Sequence, residues 1–278
     1  MPSSRNPNPE APHLVAKIGG SLWASPTLKA WLAALKLFPH RLTIVPGGGP
    51  FADAVRRAQH TIGFSDRAAH RMALLAMEQY AIALADLHPE FAAVATPQEG
   101  FAAHRRGAAV ALWRPVAMAS AAPHIPESWD ITSDSLAAWY ASEAGASALL
   151  LVKSVDIASR VTDGNPRSRA EEAPEEPSRS TRASSRGRRM KVSSSFETRP
   201  PVAPQDEETF TPSSDGASGD DLVGAGVVDP MFPHYARGLR VFIAGPSDLR
   251  DAGERSSRGT VPGVELHVLN SREQKIAS

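Results

Sequence analysis

HLVAKIGGS, residues 13–21, and RLTIVPGGGP, residues 41–50, read alike: a short apolar run that ends in a cluster of glycines. An apolar run of this length bounded by turn residues is the pattern of a buried strand. Between the two, Pro26 to Phe38 has helical spacing, with Leu28, Trp31, Leu32, Leu35 and Phe38 near one face and Ser25 as a candidate cap ahead of Pro26. Working outward, Phe51 to His60 and Ser65 to Leu87 read as helices, Ala109 to Leu112 as a strand and Ser133 to Glu143 as a helix. Ala148 to Val152 (ALLLV) reads as a strand buried on both faces. Strands that alternate with helices predict an α/β fold, a three-layer αβα sandwich around a mostly parallel central sheet. Ligands of such sheets bind beyond the carboxyl ends of the strands, where both glycine clusters fall.

The pattern stops after Asp156. From about Ser159 to Asp221 the chain turns to Ser, Arg, Glu, Pro and Gly, with little to bury. A loop of that length far exceeds the usual connection of about 4–6 residues. The expectation is a disordered insert over 159–221, either a solvated spacer or a docking arm. The core is expected over 13–158 and 222–278, behind a frayed tail over 1–12. Asp229 to Gly238 reads as a short helix, and Leu239 to Ala244 and Val264 to Leu269 as the last strands.

The 278 residues carry 30 basic and 30 acidic side chains, so the formal net charge is zero and nucleic acid is not an expected partner. Cysteine is absent, which excludes disulfides, thiolate metal sites and a cysteine nucleophile. No apolar run approaches the roughly 20 residues a membrane helix needs, and Met1 to Pro12 does not read as a signal peptide. The expectation is a cytoplasmic protein without a membrane partner. A Walker-type loop and an H-E-x-x-H pattern are both missing. The nine histidines are scattered, with His70 and His88 expected on helix surfaces, and no metal ligands are assigned.

Four segments could carry chemistry. Lys17, Gly19, Gly20 and Ser21 place a cation, two glycine N–H groups and a hydroxyl at a strand exit, which suits phosphate oxygens as well as it suits a plain turn. Gly47, Gly48 and Gly49 precede a helix whose N-terminus favours an anion. Asp134 stands in the first turn of the Ser133–Glu143 helix, as a dipole-stabilising acid or as the partner of a phosphate-binding lysine. Lys153 and Asp156 follow the ALLLV strand and either face the same cleft or lie in an exposed loop.

In this order KIGGS, PGGGPFAD, ITSDSLAA and LLLVKSVD resemble the amino-acid kinase superfamily over about Leu14 to Asp156 and again from Leu222. IVPGGGPFAD, AHRMALLAMEQYA, SWDITSDSLAAWYA and VDPMFPHYARGLRVFIAGP look like its branch that phosphorylates (5-(aminomethyl)furan-3-yl)methyl phosphate in methanofuran biosynthesis. The resemblance implies ATP and Mg²⁺ as cofactors, a small phosphate-bearing acceptor and a homo-oligomer. It implies that Lys17 contacts the β/γ-phosphates and that Asp134 organises Lys17 and the magnesium nucleotide. Gly19, Gly20 and Ser21 would cradle the donor phosphates, with Lys153 and Asp156 beside the nucleotide. Gly47, Gly48 and Gly49 would bind the acceptor phosphate, Phe51 and Trp129 would wall the furan ring, and Asp130 would pair with its ammonium. Lys153 or Arg237 would stand in for a second phosphate-binding lysine that relatives carry late in the chain. Other acceptors (uridylate, isopentenyl phosphate, an amino-acid carboxylate) and a non-catalytic nucleotide-binding regulator remain open.

Overall fold

The computed structural model describes residues 11–156, 222–223 and 226–266. The expected insert, most of the expected tail and residues 267–269 of the last expected strand lie outside the described residues.

The strands are β1 (His13–Ile18), β2 (Arg41–Pro46), β3 (Ala92–Val94), β4 (Val110–Trp113), β5 (Ala148–Val152), β6 (Val241–Ala244) and β7 (Val264–Leu266). They form one sheet in the order β3-β4-β2-β1-β5-β6-β7. All neighbours are parallel except β6 and β7. The helices are α1 (Leu28–Leu35), α2 (Gly49–Ile62), α3 (Asp66–Leu87), α4 (Pro97–Arg105), α5 (Pro115–Ser120), α6 (Ser133–Glu143), α7 (Phe232–Tyr235) and α8 (Leu249–Ser257).

Successive strand residues point to opposite faces, and here each face has its own core. Leu14, Ala16 and Ile18 of β1 join Leu42 and Ile44 of β2 and Leu150 and Val152 of β5 against α1 and α8. Val15 joins Val45, Leu149 and Leu151 against α6 and α7. Helices cover both faces, which is the expected three-layer αβα sandwich. The parity also decides a functional matter: Lys17 shares the face of Val15, so it emerges on the α6 side.

β1 is the central strand. The chain builds outward from it to one edge through β2 and β4, then crosses to its other side with β5. That reversal is a topological switch point, and a crevice opens beyond the carboxyl ends of the strands there. Register brings the exits level, with Ile18 opposite both Pro46 of β2 and Val152 of β5.

Several boundaries differ from the sequence expectation. α1 begins at Leu28 rather than Pro26, and Ser25 serves the turn before it, its hydroxyl accepting from the Thr27 N–H at 3.2 Å. α7 is one turn inside the expected Asp229–Gly238. His70, expected on a helix surface, is 5% exposed, because it stands on the same face of α3 as buried Leu74 and Met77. Among the described residues no helix is long and apolar enough to cross a membrane.

Candidate active site

Two glycine loops leave β1 and β2 side by side, and their backbones touch. A Cβ added to Gly20 would lie 2.6 Å from the Gly49 nitrogen, and one added to Gly47 would lie 2.5 Å from the Gly20 nitrogen. Gly49 has φ +55°, a conformation glycine adopts without strain. The first requirement on these glycines is therefore the approach of one loop to the other. The Gly47 N–H bonds the Ile18 carbonyl at 2.9 Å, and the Gly19 N–H bonds the Val152 carbonyl at 3.0 Å. The Ser21 and Ser154 hydroxyls meet at 2.7 Å and tie the first loop to the exit of β5.

Below the loops lies a buried ionic cluster. The Lys17 ammonium is 2.7 Å from Asp134 Oδ1, and the Lys153 ammonium donates to Asp134 Oδ2 at 2.9 Å. Lys153 also donates to the Val227 carbonyl at 2.5 Å. Burial alone would raise the Asp134 carboxyl, but Lys153 and Lys17 outweigh it and hold it down at about 2. Burial lowers the Lys17 ammonium from its ordinary value while Asp134 opposes the shift. The two ammonium groups share the Asp134 carboxylate, and all three residues line the crevice.

The crevice is a cavity of about 910 Å³. Lys17, Gly19, Gly20, Ser21 and Ser154 line it at the first loop and the β5 exit, and Gly48 and Gly49 line it at the second loop. Asp134, Lys153 and Asp229 form its base, while Asp53, Arg56, His70 and Trp129 line it along α2, α3 and the chain before α6. The Arg56 guanidinium lies 4.4 Å from the Trp129 ring, and the indole N–H of Trp129 donates to Gln59 at 2.6 Å.

Some residues singled out from the sequence are placed elsewhere. Gly47 is under the loops rather than on the cavity wall. Phe51 turns to Trp23, with ring centroids 5.3 Å apart. Asp130 is exposed and accepts from its neighbour Ser128. Asp156 accepts the Ser247 N–H and hydroxyl, both at 2.8 Å, and so joins the exits of β5 and β6. Arg237 is exposed, whereas Lys153 reaches Asp134.

Sequence reasoning did not single out Asp53, Arg56, His70, Ser154 or Asp229. For His70 the signal was there, in its spacing with Leu74 and Met77. For Asp229 no local pattern exists, since its partners are Thr132 and Ser135, 97 and 94 residues away.

A mostly parallel sheet between two helical layers, with its cleft at the switch point, two glycine loops over it and a Lys–Asp–Lys cluster beneath, defines an α/β domain of the three-layer type. Residues 13–175 match the model of the amino acid kinase family, and the chain belongs to that family. A (5-(aminomethyl)furan-3-yl)methyl phosphate kinase from Methanocaldococcus jannaschii is 30% identical over 151 residues, which span 53% of this chain and 65% of that relative. A uridylate kinase structure from Archaeoglobus fulgidus shares the fold with a TM-score of 0.53 at 15% identity, covering 91% of this chain and 99% of that one. A UMP kinase structure from Bacillus anthracis does so with a TM-score of 0.55 at 13% identity, covering 92% and 99%.

Proposed function

We propose that this chain is an ATP-dependent phosphotransferase that moves the γ-phosphoryl group of ATP to a small acceptor already bearing a phosphate. The favoured acceptor is (5-(aminomethyl)furan-3-yl)methyl phosphate, converted to its diphosphate as a step toward a methanofuran-type cofactor. The Lys17–Asp134–Lys153 cluster at the base of the cavity carries the reading. The name of the 30% identical relative supports the acceptor.

In this reading an acceptor phosphate oxygen attacks the γ-phosphorus in line. The new P–O bond forms as the bond to the β-phosphate bridging oxygen breaks, and ADP leaves. Such transfer needs positioning and charge neutralisation and forms no covalent enzyme intermediate. Lys17 and Lys153 face the phosphates, and Asp134 keeps both ammonium groups in place. Gly19, Gly20 and Ser21 take the donor phosphates, with Ser154 fixing their loop. Gly48 and Gly49 at the start of α2 take the acceptor phosphate. Trp129 walls the acceptor side.

The residues fit a magnesium nucleotide. Among the described residues no group of three His, Asp, Glu or Cys side chains could hold a metal. Magnesium would therefore arrive on the phosphates, with ionised Asp134 as the acid that orients the complex. When bound, the ion neutralises the phosphate oxygens.

The test is ADP release from Mg-ATP with the furan phosphate, UMP, isopentenyl phosphate, aspartate and acetylglutamate side by side. Turnover on the furan phosphate above the others is the expected result. Turnover on a different acceptor would move the substrate assignment. ATP binding without turnover on any acceptor would replace the enzyme by a nucleotide-binding regulator.

A further inference from the structure

Asp229 stands beyond the insert and takes no part in the phosphotransfer reading above, yet it is among the most fully engaged side chains of the cavity base. It is 7% exposed. Its Oδ2 accepts the Thr132 N–H at 2.9 Å, the Thr132 hydroxyl at 2.7 Å and the Ser135 N–H at 3.1 Å. Its Oδ1 accepts the Ser135 hydroxyl. The N–H groups of a helix's first turn lack partners within the helix, and a capping oxygen normally comes from the residue at the cap itself. Thr132 occupies that position and makes no such bond. Its hydroxyl donates to Asp229 instead, so a charge is imported where a neutral local hydroxyl was available.

The location of the import explains it. Thr132 and Ser135 bracket Asp134, the carboxylate shared by Lys17 and Lys153. Two residues before Asp229, the Val227 carbonyl receives Lys153. Leu222, Val228 and Phe232 bury this segment in the same core as α6. One short segment therefore holds the carboxylate and one of its lysines, and it adds a second anion opposite two ammonium groups.

We propose that Asp229 is a positioning residue of the active site: it fixes the first turn of α6, and through that turn sets Asp134 where it holds Lys17 and Lys153. The inference rests on the phosphotransfer reading. The charged and titratable groups around this point are Lys17 from β1, Asp134 from α6, Lys153 after β5 and Tyr235 from α7. Asp53 and Arg56 of α2 and His70 of α3 line the same cavity.

The experiment compares full-length Asp229→Asn with Phe232→Leu, a buried change in the same segment that touches neither the cap nor a charge. Asp229→Asn is expected to lower kcat about 10- to 100-fold while KM for ATP changes less than about threefold. It should also move the alkaline limb of the kcat–pH profile to lower pH, because Lys17 loses an anion that favours its charged form. Phe232→Leu should lower Tm and do neither. Wild-type kcat and an unmoved alkaline limb in Asp229→Asn would overturn the proposal and leave Asp229 a helix cap. If Asp229→Asn does not fold, Thr132→Val removes one donor and keeps every charge. A kcat lowered about threefold or more then sustains the proposal, and wild-type kcat overturns it. Failure of the underlying reading looks different, since the wild type would release no ADP with any acceptor. In that event the Lys17 titration, followed by NMR on lysine-labelled protein, decides: an acid shift in Asp229→Asn sustains the positioning role, and no shift overturns it.

Discussion

His13 and Lys17 stand on the same strand and the same face, four residues apart, and both are buried. Their surroundings are opposite. At the carboxyl end of β1, Lys17 meets Asp134, and every charge in the cluster has a counter-charge. At the amino end, His13 bonds Thr43 at 2.9 Å and lies beside His104 and Arg41, with ring centroids of the two histidines 6.1 Å apart. His104 bonds the Ala108 carbonyl at 3.0 Å, and Arg41 bonds the Ala11 carbonyl at 2.7 Å and stacks over Phe101. Burial, then Arg41 and His104, push the His13 imidazole down to about 3. Burial and Arg41 also lower His104. Burial beside a carboxylate keeps charges for use at one end of the strand. At the other end, burial beside the Arg41 guanidinium keeps the His13 imidazole neutral.

The largest effect should come from removing the counter-charge. Asp134→Ala leaves two ammonium groups facing each other without an anion between them. Breaking a buried pair from one side costs about 3–5 kcal/mol, which chemical denaturation will measure, and turnover should be abolished. A stability loss under about 1 kcal/mol would show that the two ends of β1 do not differ as argued.

Lys17→Ala comes next. Asp134 keeps Lys153, so the fold should hold, with Tm within a few degrees of the wild type. Loss of one preorganised charge at the transferring group should cut kcat about 10²- to 10³-fold, or about 2.7–4 kcal/mol. ADP release at saturating substrate checks this, and unchanged turnover would sink the mechanism. Gly20→Ala follows. Its new Cβ would meet backbone of the second loop, which cannot swing aside as a side chain can. A cost of about 1–3 kcal/mol is expected, with weakened ATP binding by calorimetry, whereas Gly107→Ala, which meets nothing within 4 Å, should leave ATP binding unchanged.

Acid separates the two ends directly. A histidine whose folded pKa lies below its unfolded value gives full stability above the unfolded value, and that stability is lost as pH falls. For His13 the window runs from 6.5 down to about 3, with a slope of up to about 1.4 kcal/mol per pH unit. Asp134 is depressed from 3.8 to about 2, so its contribution is present above 3.8 and is lost only as pH falls through that lower window. Unfolding free energy should therefore begin to fall near pH 6.5, and His13→Gln should flatten that part of the curve. A curve flat down to pH 4 in the wild type would contradict the neutral-histidine account.

The sequence made the strands around the site legible because each is a short apolar run closed by glycine or a charged pair. It made Lys17 and Asp134 legible because glycines and a helix start announce them. β3 escaped notice because Ala92–Val94 is too short to show a period. α4 carried a signal that went unread: Thr96 accepts from the Glu99 N–H at 3.2 Å and Glu99 from the Ala95 N–H at 2.8 Å, a cap encoded in T-P-Q-E. Gly100 in its middle hides the helix from propensity and lets it approach Tyr140. Asp229 was illegible for a different reason. Its partners lie on the far side of some sixty residues of low-complexity sequence, and no local period links them.

The smallest expected effect concerns that stretch. In the sequence, residues 159–221 lie between Asp156, which follows β5, and Leu222. Both neighbours of the stretch have their own anchors. Asp156 is bonded to Ser247 beside β6. On the other side Leu222 is fully buried and Asp229 binds α6. The described core on either side thus has contacts of its own. Replacing residues 160–219 with a short Gly/Ser linker should change the stability of the rest by less than about 1 kcal/mol, since loop-closure entropy varies only slowly with length. The Lys17, Asp134 and Lys153 geometry should be unchanged, with ATP affinity within about threefold of the full chain. Thermal unfolding and ATP binding of the shortened chain decide the matter. A core that unfolds would show that the stretch is part of the fold. A stable core that no longer binds ATP would show that the stretch contributes to the carboxyl end of the sheet.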